Sequence, residues 1–117
     1  MIGIDLVEVE RIKKSMKNVD FINRILTKRE IEYINSFVDK DVHVAGFFAV
    51  KEAVMKALEN CKKIGFMEIE VCHNDFGKPY VKLYGEAKSI FEKLSYNQIE
   101  ISISHTKNYA TAICLIN

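Results

Sequence analysis

The stretch 42–58 constrains the fold more than any other part of the chain, because it is apolar at almost every position. Its only formal charges are Lys51, Glu52 and Lys56. A helix that is apolar on all sides has to be buried on several of them. We therefore predict a long buried helix over 42–59, with the other elements packed around it.

The rest of the chain predicts short elements that are segregated by type. Apolar or alternating runs predict strands at 2–7, 66–73, 80–84, 98–104 and 109–116. Helical spacing predicts helices at 8–18, 20–37 (one or two elements) and 86–95. Thr27 and Glu30 fit a capping box that begins a helix at Lys28, and Gly77 is predicted to take a positive φ in a turn. This order predicts an α+β fold with a mostly antiparallel sheet, whose last two strands form a hairpin.

Length and composition limit the class of protein. A chain of 117 residues is the size of one domain, residues 1–117, and 49% hydrophobic residues with one Pro exclude disorder. No apolar run approaches the roughly 18 residues that span a membrane, and the first residues lack the pattern of a signal peptide. Cys61, Cys72 and Cys114 show no paired spacing, which favours reduced, buried thiols in a cytoplasmic protein.

Asp5 interrupts an apolar strand, where aspartate is disfavoured. It is either a strand-end residue that caps the next helix or a buried carboxylate that needs a cation. Glu52 and Lys56, four residues apart on the long helix, form either a surface ion pair or a carboxylate and ammonium facing a cleft. In the second case the two carboxylates suit Mg²⁺, which completes its shell with water and phosphate, and Lys56 suits a phosphate oxygen.

The segment around His105 is the third unusual feature. His105 ends a strand and can serve as a base, a phosphate donor or a loop hydrogen-bonder. Ser104 and His105 are adjacent and point to opposite faces of a strand, which disfavours a serine triad; Ser102 lies on the face of Ser104. His43, His73 and the cysteines lack paired ligand spacing, which disfavours zinc.

A basic stripe covers 11–29, where seven basic residues face Asp20 alone. Its members are Arg11, Lys13, Lys14, Lys17, Arg24, Lys28 and Arg29. The stripe is either a solvated helix face or a docking surface for an acidic partner. The segments on both sides of it are acidic, which disfavours a nucleic-acid-binding protein.

Taken together, these residues resemble the small bacterial holo-acyl-carrier-protein synthases, the short class of phosphopantetheinyl transferases. The resemblance rests on a set of motifs in a fixed order along nearly the whole chain: Gly3–Ile12, Arg24–Thr27 with Glu30 and Tyr33, Phe48–Ala57, Gly77–Pro79 and Ser102–Ala110. An inactive homologue is disfavoured, because Asp5, Glu52 and Lys56 are all present.

The resemblance implies a reaction, a metal and an assembly. It implies transfer of 4′-phosphopantetheine from coenzyme A (CoA) to a serine of apo acyl carrier protein, for fatty acid biosynthesis, with release of adenosine 3′,5′-bisphosphate. It implies that Mg²⁺ binds the CoA pyrophosphate and is held by Asp5 and Glu52. It also implies a homotrimer with active sites between subunits, and the apolar helix at 42–58 agrees with such an interface.

The resemblance also implies roles for single residues. The catalytic residues are Glu52, Lys56 and His105. The CoA-binding residues are Lys51, Lys56, Pro79, Ser104, His105 and Thr106. The carrier-docking residues are Arg11, Lys13, Lys14, Lys17, Phe21 and Arg24. The chain departs from the family at Phe47, where a basic residue is usual, and at 59–63, where a glycine-rich loop is usual and Lys62 and Lys63 are alternative phosphate donors.

Overall fold

The helices and strands follow the predicted order, but several of them begin or end at other residues than predicted. The computed structural model describes residues 1–59 and 62–117. The strands are β1 (Ile2–Glu8), β2 (Ile69–His73), β3 (Pro79–Leu83), β4 (Ile99–His105) and β5 (Tyr109–Ile116). The helices are α1 (Val9–Ser15), α2 (Val19–Ile25), α3 (Lys28–Asn35), α4 (Lys40–Ala57) and α5 (Gly85–Glu92).

Helix α4 lies at the centre of the fold, as its apolar sequence predicted. Twelve of its 18 residues are buried. It packs against β1 and β5 more extensively than against any other described element, and it also contacts β4, β2, α1 and α3. The chain therefore covers its own apolar helix. The apolar sequence of 42–58 is explained by the core and gives no argument for a trimer, which corrects that part of the sequence interpretation.

The pairings of the described strands are antiparallel. β5 is the middle strand of a three-stranded sheet with the order β1–β5–β4. β2 and β3 form a separate hairpin, whose turn contains Gly77 at a φ of 82°. The predicted α+β fold, the hairpin of β4 with β5 and the conformation of Gly77 are confirmed.

Local hydrogen bonds explain why several elements begin where they do. The Thr27 hydroxyl accepts the Glu30 N–H at 3.2 Å and the Glu30 carboxylate accepts the Thr27 N–H at 2.8 Å, so the predicted capping box begins α3. The strand predicted at 66–73 begins only at Ile69. Residues 66–68 form a 3₁₀ turn, because the Glu68 carboxylate accepts the Gly65 N–H at 2.7 Å and draws the backbone into a turn.

The structure also bears on the predictions about membrane-spanning helices and about the cysteines. In the part of the chain that is described, no helix is both long and apolar enough to cross a membrane. Cys72 and Cys114 are free and buried, as predicted, whereas Cys61 lies outside the described residues. The cytoplasmic location stays a prediction.

Candidate active site

The acidic cavity, as we call it, is a space of about 340 Å³ between β1, α1, α4 and the first residue of β5. Asp5 and Glu52, the two carboxylates that the sequence indicated, both line it. Phe48 and Tyr109 line it as well, although nothing in the residue pattern had assigned them to a site. Two carboxylates from elements far apart in sequence therefore meet in one cavity, which supports a site over an isolated surface ion pair.

Lys56 lies beside Asp5. Its Nζ donates to Asp5 Oδ1 and to the carbonyl oxygen of Ile4, both at 3.0 Å. The Asp5 side chain is 15% exposed and the Lys56 side chain 47% exposed, so the pair sits at the boundary between protein and solvent. These two bonds use two of the three donors of the ammonium group. The third remains for an incoming anion such as a phosphate oxygen.

A close approach of β1 to α4 makes this pairing possible. A Cβ atom at Gly3 would lie 2.0 Å from the carbonyl oxygen of Ala53 and 2.7 Å from the backbone nitrogen of Ala57. Only glycine lets the strand backbone lie so near the helix backbone. Asp5 follows two residues later on the same face of β1, and this contact brings its carboxylate within reach of Lys56, three residues after Ala53.

The electrostatics of Glu52 fit a divalent cation. Burial is the main reason that the pKa of Glu52 is raised, and the negative charge of Asp5 raises it further, while Lys56 opposes the shift. Mg²⁺ is commonly held by one or two carboxylates together with water and substrate phosphates. Two carboxylates that repel each other across a cavity match this donor set, so Asp5 and Glu52 fit the metal that the resemblance implies.

A second space, of about 170 Å³, contains the chain's three histidines, and we call it the histidine pocket. His43 comes from α4, His73 from β2 and His105 from the end of β4. Pro79, the first residue of β3, also lines it. The structure therefore brings together Pro79 and His105, two of the residues expected to bind CoA.

The turn between β4 and β5 links the two spaces. His105 before it lines the histidine pocket, and Tyr109 after it lines the acidic cavity. The Thr106 hydroxyl accepts the backbone N–H groups of Asn108 and Tyr109 at 3.3 and 3.1 Å, and the Asn108 carbonyl accepts the Val9 N–H at 2.9 Å. Thr106 thus fixes the turn through its own side chain and is exposed beside both spaces.

Comparisons with known proteins identify the family of the chain. A family model described as the 4′-phosphopantetheinyl transferase superfamily matches residues 1–114. The chain belongs to this superfamily. Within the superfamily it falls among the holo-[acyl-carrier-protein] synthases, which are enzymes. Such a synthase from Thermoanaerobacter sp. (strain X514) is 45% identical over 116 residues, which cover 97% of this chain and 84% of the relative.

Solved structures of this superfamily share the fold. The Helicobacter pylori holo-[acyl-carrier-protein] synthase in complex with coenzyme A has a TM-score of 0.87 and 34% identity, with 100% of both chains covered. The Neisseria meningitidis synthase has a TM-score of 0.89 and 29% identity and covers 99% of this chain and 96% of that one. The identification of the family from sequence motifs is confirmed, and so is the fold.

Lys51 does not reach either space, which corrects its expected role in CoA binding. Its side chain is 0% exposed, and its Nζ donates to Glu30 at 2.7 Å and to the carbonyl oxygens of Ile25 and Phe66. The other oxygen of Glu30 accepts the Val71 N–H at 2.7 Å. The pair joins α2, α3, α4 and β2 in the core, because these elements cover the side of α4 on which Lys51 lies.

The side chains of Ser104 and His105 lie on opposite faces of β4, as strand geometry predicted. Ser104 is exposed and pairs across the sheet with Thr111, on the face that points away from α4. Within one chain it therefore does not face the histidine pocket. Its expected contact with CoA would need a second subunit placed against this outer face.

The basic stripe borders the acidic cavity. Arg11 and Phe21 line the cavity itself. The remaining docking residues of the prediction are exposed on α1, α2 and the turn between them: Lys13, Lys14, Lys17 and Arg24. Phe47, where the family usually has a basic residue, lines the histidine pocket and stacks on Tyr33. Lys62 and Lys63 are exposed, and the remainder of the expected loop departure lies partly outside the described residues.

Proposed function

We propose that the chain transfers 4′-phosphopantetheine from CoA to a serine hydroxyl of apo acyl carrier protein, with Mg²⁺, in the service of fatty acid biosynthesis. The observation that carries the proposal is that Asp5 and Glu52 line one cavity and that Lys56 donates a hydrogen bond to Asp5. CoA is present in the complex of the Helicobacter pylori relative. The carrier protein is the substrate that the relatives' name implies.

The proposed chemistry follows from the charges in the acidic cavity. Asp5 and Glu52 would hold Mg²⁺, which when bound neutralises oxygens of the CoA pyrophosphate. The serine oxygen forms a bond to the phosphorus that carries the pantetheine arm, and the bond from that phosphorus to the leaving adenosine 3′,5′-bisphosphate breaks. Lys56 binds a phosphate oxygen. We assign the serine proton to Glu52 in preference to His105, because Glu52 lines this cavity and His105 lines the histidine pocket.

Incubation with apo carrier protein, CoA and Mg²⁺ tests the reaction. We expect the mass of the carrier to rise by one phosphopantetheine arm, and this product to require Mg²⁺. Asp5→Asn and Glu52→Gln should each reduce the rate by at least about 10²-fold. Glu32→Gln, which removes an exposed carboxylate of α3, is the matched control and should retain the wild-type rate. Near-normal turnover of either cavity variant at millimolar Mg²⁺ would contradict the metal assignment.

We propose that the basic stripe docks the acidic carrier protein. Exposed charges act mainly on encounter rate and on salt dependence. Reversal of Lys13, Lys14 and Lys17 to Glu should therefore raise the KM for carrier protein sharply and leave the KM for CoA almost unchanged. The control variant reverses three lysines outside the stripe: Lys82, Lys88 and Lys93. A loss of CoA affinity with normal carrier affinity would show that the stripe binds the nucleotide instead.

We propose a homotrimer that is held by the outer face of the three-stranded sheet. On β1, Ile2, Ile4 and Leu6 are 64%, 62% and 67% exposed, and Ile113 and Leu115 of β5 continue this apolar face at 38% each. An exposed apolar patch of this kind is typical of an interface between proteins. The patch contains Ser104 at its edge, so a neighbouring subunit on this face would also bring Ser104 next to a second chain.

Sedimentation tests the assembly. We expect a species of about three times 13.5 kDa. Ile4→Lys should dissociate it, because an ammonium group would be buried at the interface. Val38→Lys changes an equally apolar side chain that is 102% exposed outside the sheet, and this control should remain assembled. An active wild-type monomer would refute the trimer.

A further inference from the structure

Lys51 is a buried charged residue that lines neither the acidic cavity nor the histidine pocket. Its Nζ donates one hydrogen bond to the Glu30 carboxylate and two to the backbone carbonyl oxygens of Ile25 and Phe66, which uses all three donors of an ammonium group. Replacement of a buried ion pair by apolar residues often leaves a protein as stable as before or makes it more stable. Stability alone therefore does not call for a charge at position 51, whereas only a donor can bind these two carbonyl groups.

The first of the two carbonyl groups belongs to Ile25, the last residue of α2. Carbonyl groups in the last turn of a helix have no partner within the helix, and they are commonly satisfied by a terminal glycine motif or by a basic side chain. The C-cap of α2 is Leu26 in an extended conformation, so the glycine motif is not used here. Lys51 supplies the partner from α4, and its positive charge also suits the negative end of the helix dipole.

Helix α2 has few other attachments to the protein. It has seven residues, fewer than an isolated helix needs to be stable in water, and Ile25 is its one buried residue. Among the described elements, α2 packs most extensively on the 3₁₀ turn Phe66–Glu68. This turn contains the second carbonyl group that Lys51 binds, at 3.0 Å. The position of α2 therefore depends on how Lys51 joins the end of the helix to this turn.

A row of three aromatic rings connects this junction with the acidic cavity. Phe66 stacks on Phe48 with a centroid separation of 5.4 Å and an interplanar angle of 26°, and Phe48 meets Phe21 of α2 at 6.4 Å. Phe21 and Phe48 both line the acidic cavity. Arg24 of α2, a member of the basic stripe, is exposed nearby on the same helix. A shift of α2 would therefore displace Phe21 and Arg24 together.

We propose that Lys51 is a positioning residue for the carrier protein: by joining the end of α2 to the 3₁₀ turn, it holds Phe21 and Arg24 where the carrier docks, without touching a substrate. This inference rests on the proposed function, which gives carrier docking to the basic stripe. The groups proposed to hold Mg²⁺ and phosphate lie on β1 and α4, and their contacts do not pass through α2. Loss of the junction should therefore weaken the use of the carrier protein and spare the use of CoA.

Two variants of the buried pair separate positioning from stability. Glu30→Gln removes the counter-ion but keeps Lys51, whose amino group can still donate to both carbonyl groups. Glu30→Gln with Lys51→Met removes the junction, and it should be the more stable of the two variants, because no unpaired ammonium is left in the core. Rates are measured against apo carrier protein at saturating CoA, and against CoA at saturating carrier protein. The temperature is one at which urea unfolding shows that both variants are folded.

We expect the double variant to raise the KM for carrier protein by at least about fivefold. Its kcat and its KM for CoA should stay within about twofold of the wild type. Glu30→Gln should keep the wild-type KM for carrier protein, although it is the less stable variant. The carrier KM would then be higher in the more stable variant, which a role in stability alone cannot produce. If Glu30→Gln does not fold, Thr27→Ala is the destabilised control, since it leaves all three bonds of Lys51 in place.

Amide hydrogen exchange adds a readout that does not need the reaction. The backbone N–H groups of α2 should exchange faster in the double variant than in Glu30→Gln, and equal exchange would show that Lys51 does not hold the helix. An unchanged KM for carrier protein in the double variant, or an equal rise in the KM for CoA, would refute the positioning role and leave the proposed function standing. If the wild-type protein transfers no phosphopantetheine, the proposed function fails and the role of Lys51 in carrier docking fails with it.

Discussion

Gly3→Ala should damage both the stability and the activity of the protein, because it places a methyl group between β1 and α4. The new Cβ would lie 2.0 Å from one backbone atom of α4 and 2.7 Å from another. Real Cβ atoms essentially never come closer than 3.0 Å to a neighbour, so the strand and helix have to separate by about 1 Å. Neither obstacle is a side chain that can rotate away.

The expected cost lies at the upper end of the range for overpacking, about 2–3 kcal/mol in the free energy of unfolding. Alanine also reduces the entropy of the unfolded chain, which offsets less than about 1 kcal/mol. For a domain of this size the melting temperature should fall by roughly 8–12 °C. Urea unfolding followed by circular dichroism measures the free energy, and a scan of temperature measures the shift.

The same displacement should reduce activity in the fraction of molecules that remains folded. Lys56 Nζ bonds both Asp5 and Ile4 at 3.0 Å across this contact, and an added 1 Å takes both bonds out of hydrogen-bond range. Misplacement of reacting groups by about 1 Å can cost up to about 10²-fold in rate, so we expect kcat to fall by tenfold or more at a temperature where the variant is folded.

Gly46→Ala is the matched control for stability. Its Cβ would lie 3.4 Å from Ile103 Cγ2, which is an ordinary contact, and alanine favours the interior of a helix over glycine by about 1 kcal/mol. Gly46→Ala should therefore be neutral or stabilising. If Gly3→Ala unfolds within about 0.5 kcal/mol of the wild type, the close approach of β1 to α4 does not exist, and our account of how Asp5 reaches Lys56 is wrong.

Three further predictions concern the core. Thr27→Ala should cost about 1 kcal/mol in chemical unfolding, with Thr27→Ser as the control that keeps the cap; equal losses would refute the capping role. Glu30→Gln should lower the free energy of unfolding by about 3–5 kcal/mol, because it leaves the Lys51 ammonium buried without its counter-ion. The double variant Glu30→Gln with Lys51→Met should recover part of this stability, and no recovery would contradict the pairing. Burial raises the pKa of Cys114 to about 12 and also raises that of Cys72, so both thiols should resist alkylation at pH 8.5 until the protein is unfolded, and rapid labelling of the folded protein would contradict their burial.

Neighbouring residues explain why some features could be read from the sequence. The capping box at Thr27 and the turn at Gly77 depend on backbone and side-chain groups within a few residues, and both are present as predicted. Almost every position of 42–58 is apolar, which indicates burial on several sides, and twelve of the 18 residues of α4 are buried. The motifs that carry the family resemblance are also local, and the comparisons confirm the family.

The sequence alone therefore determined which elements form, that α4 lies at the centre and which family the chain belongs to. The tertiary structure decided which charged side chains meet. Lys51 and Lys56 lie on the same helix, but Lys51 is buried against Glu30 and Lys56 bonds Asp5, because different elements pack on opposite faces of α4. The sequence also did not show that the three histidines line one pocket. Contacts between residues far apart in sequence depend on how the strands and the helix pack, and they leave no periodic pattern along the chain.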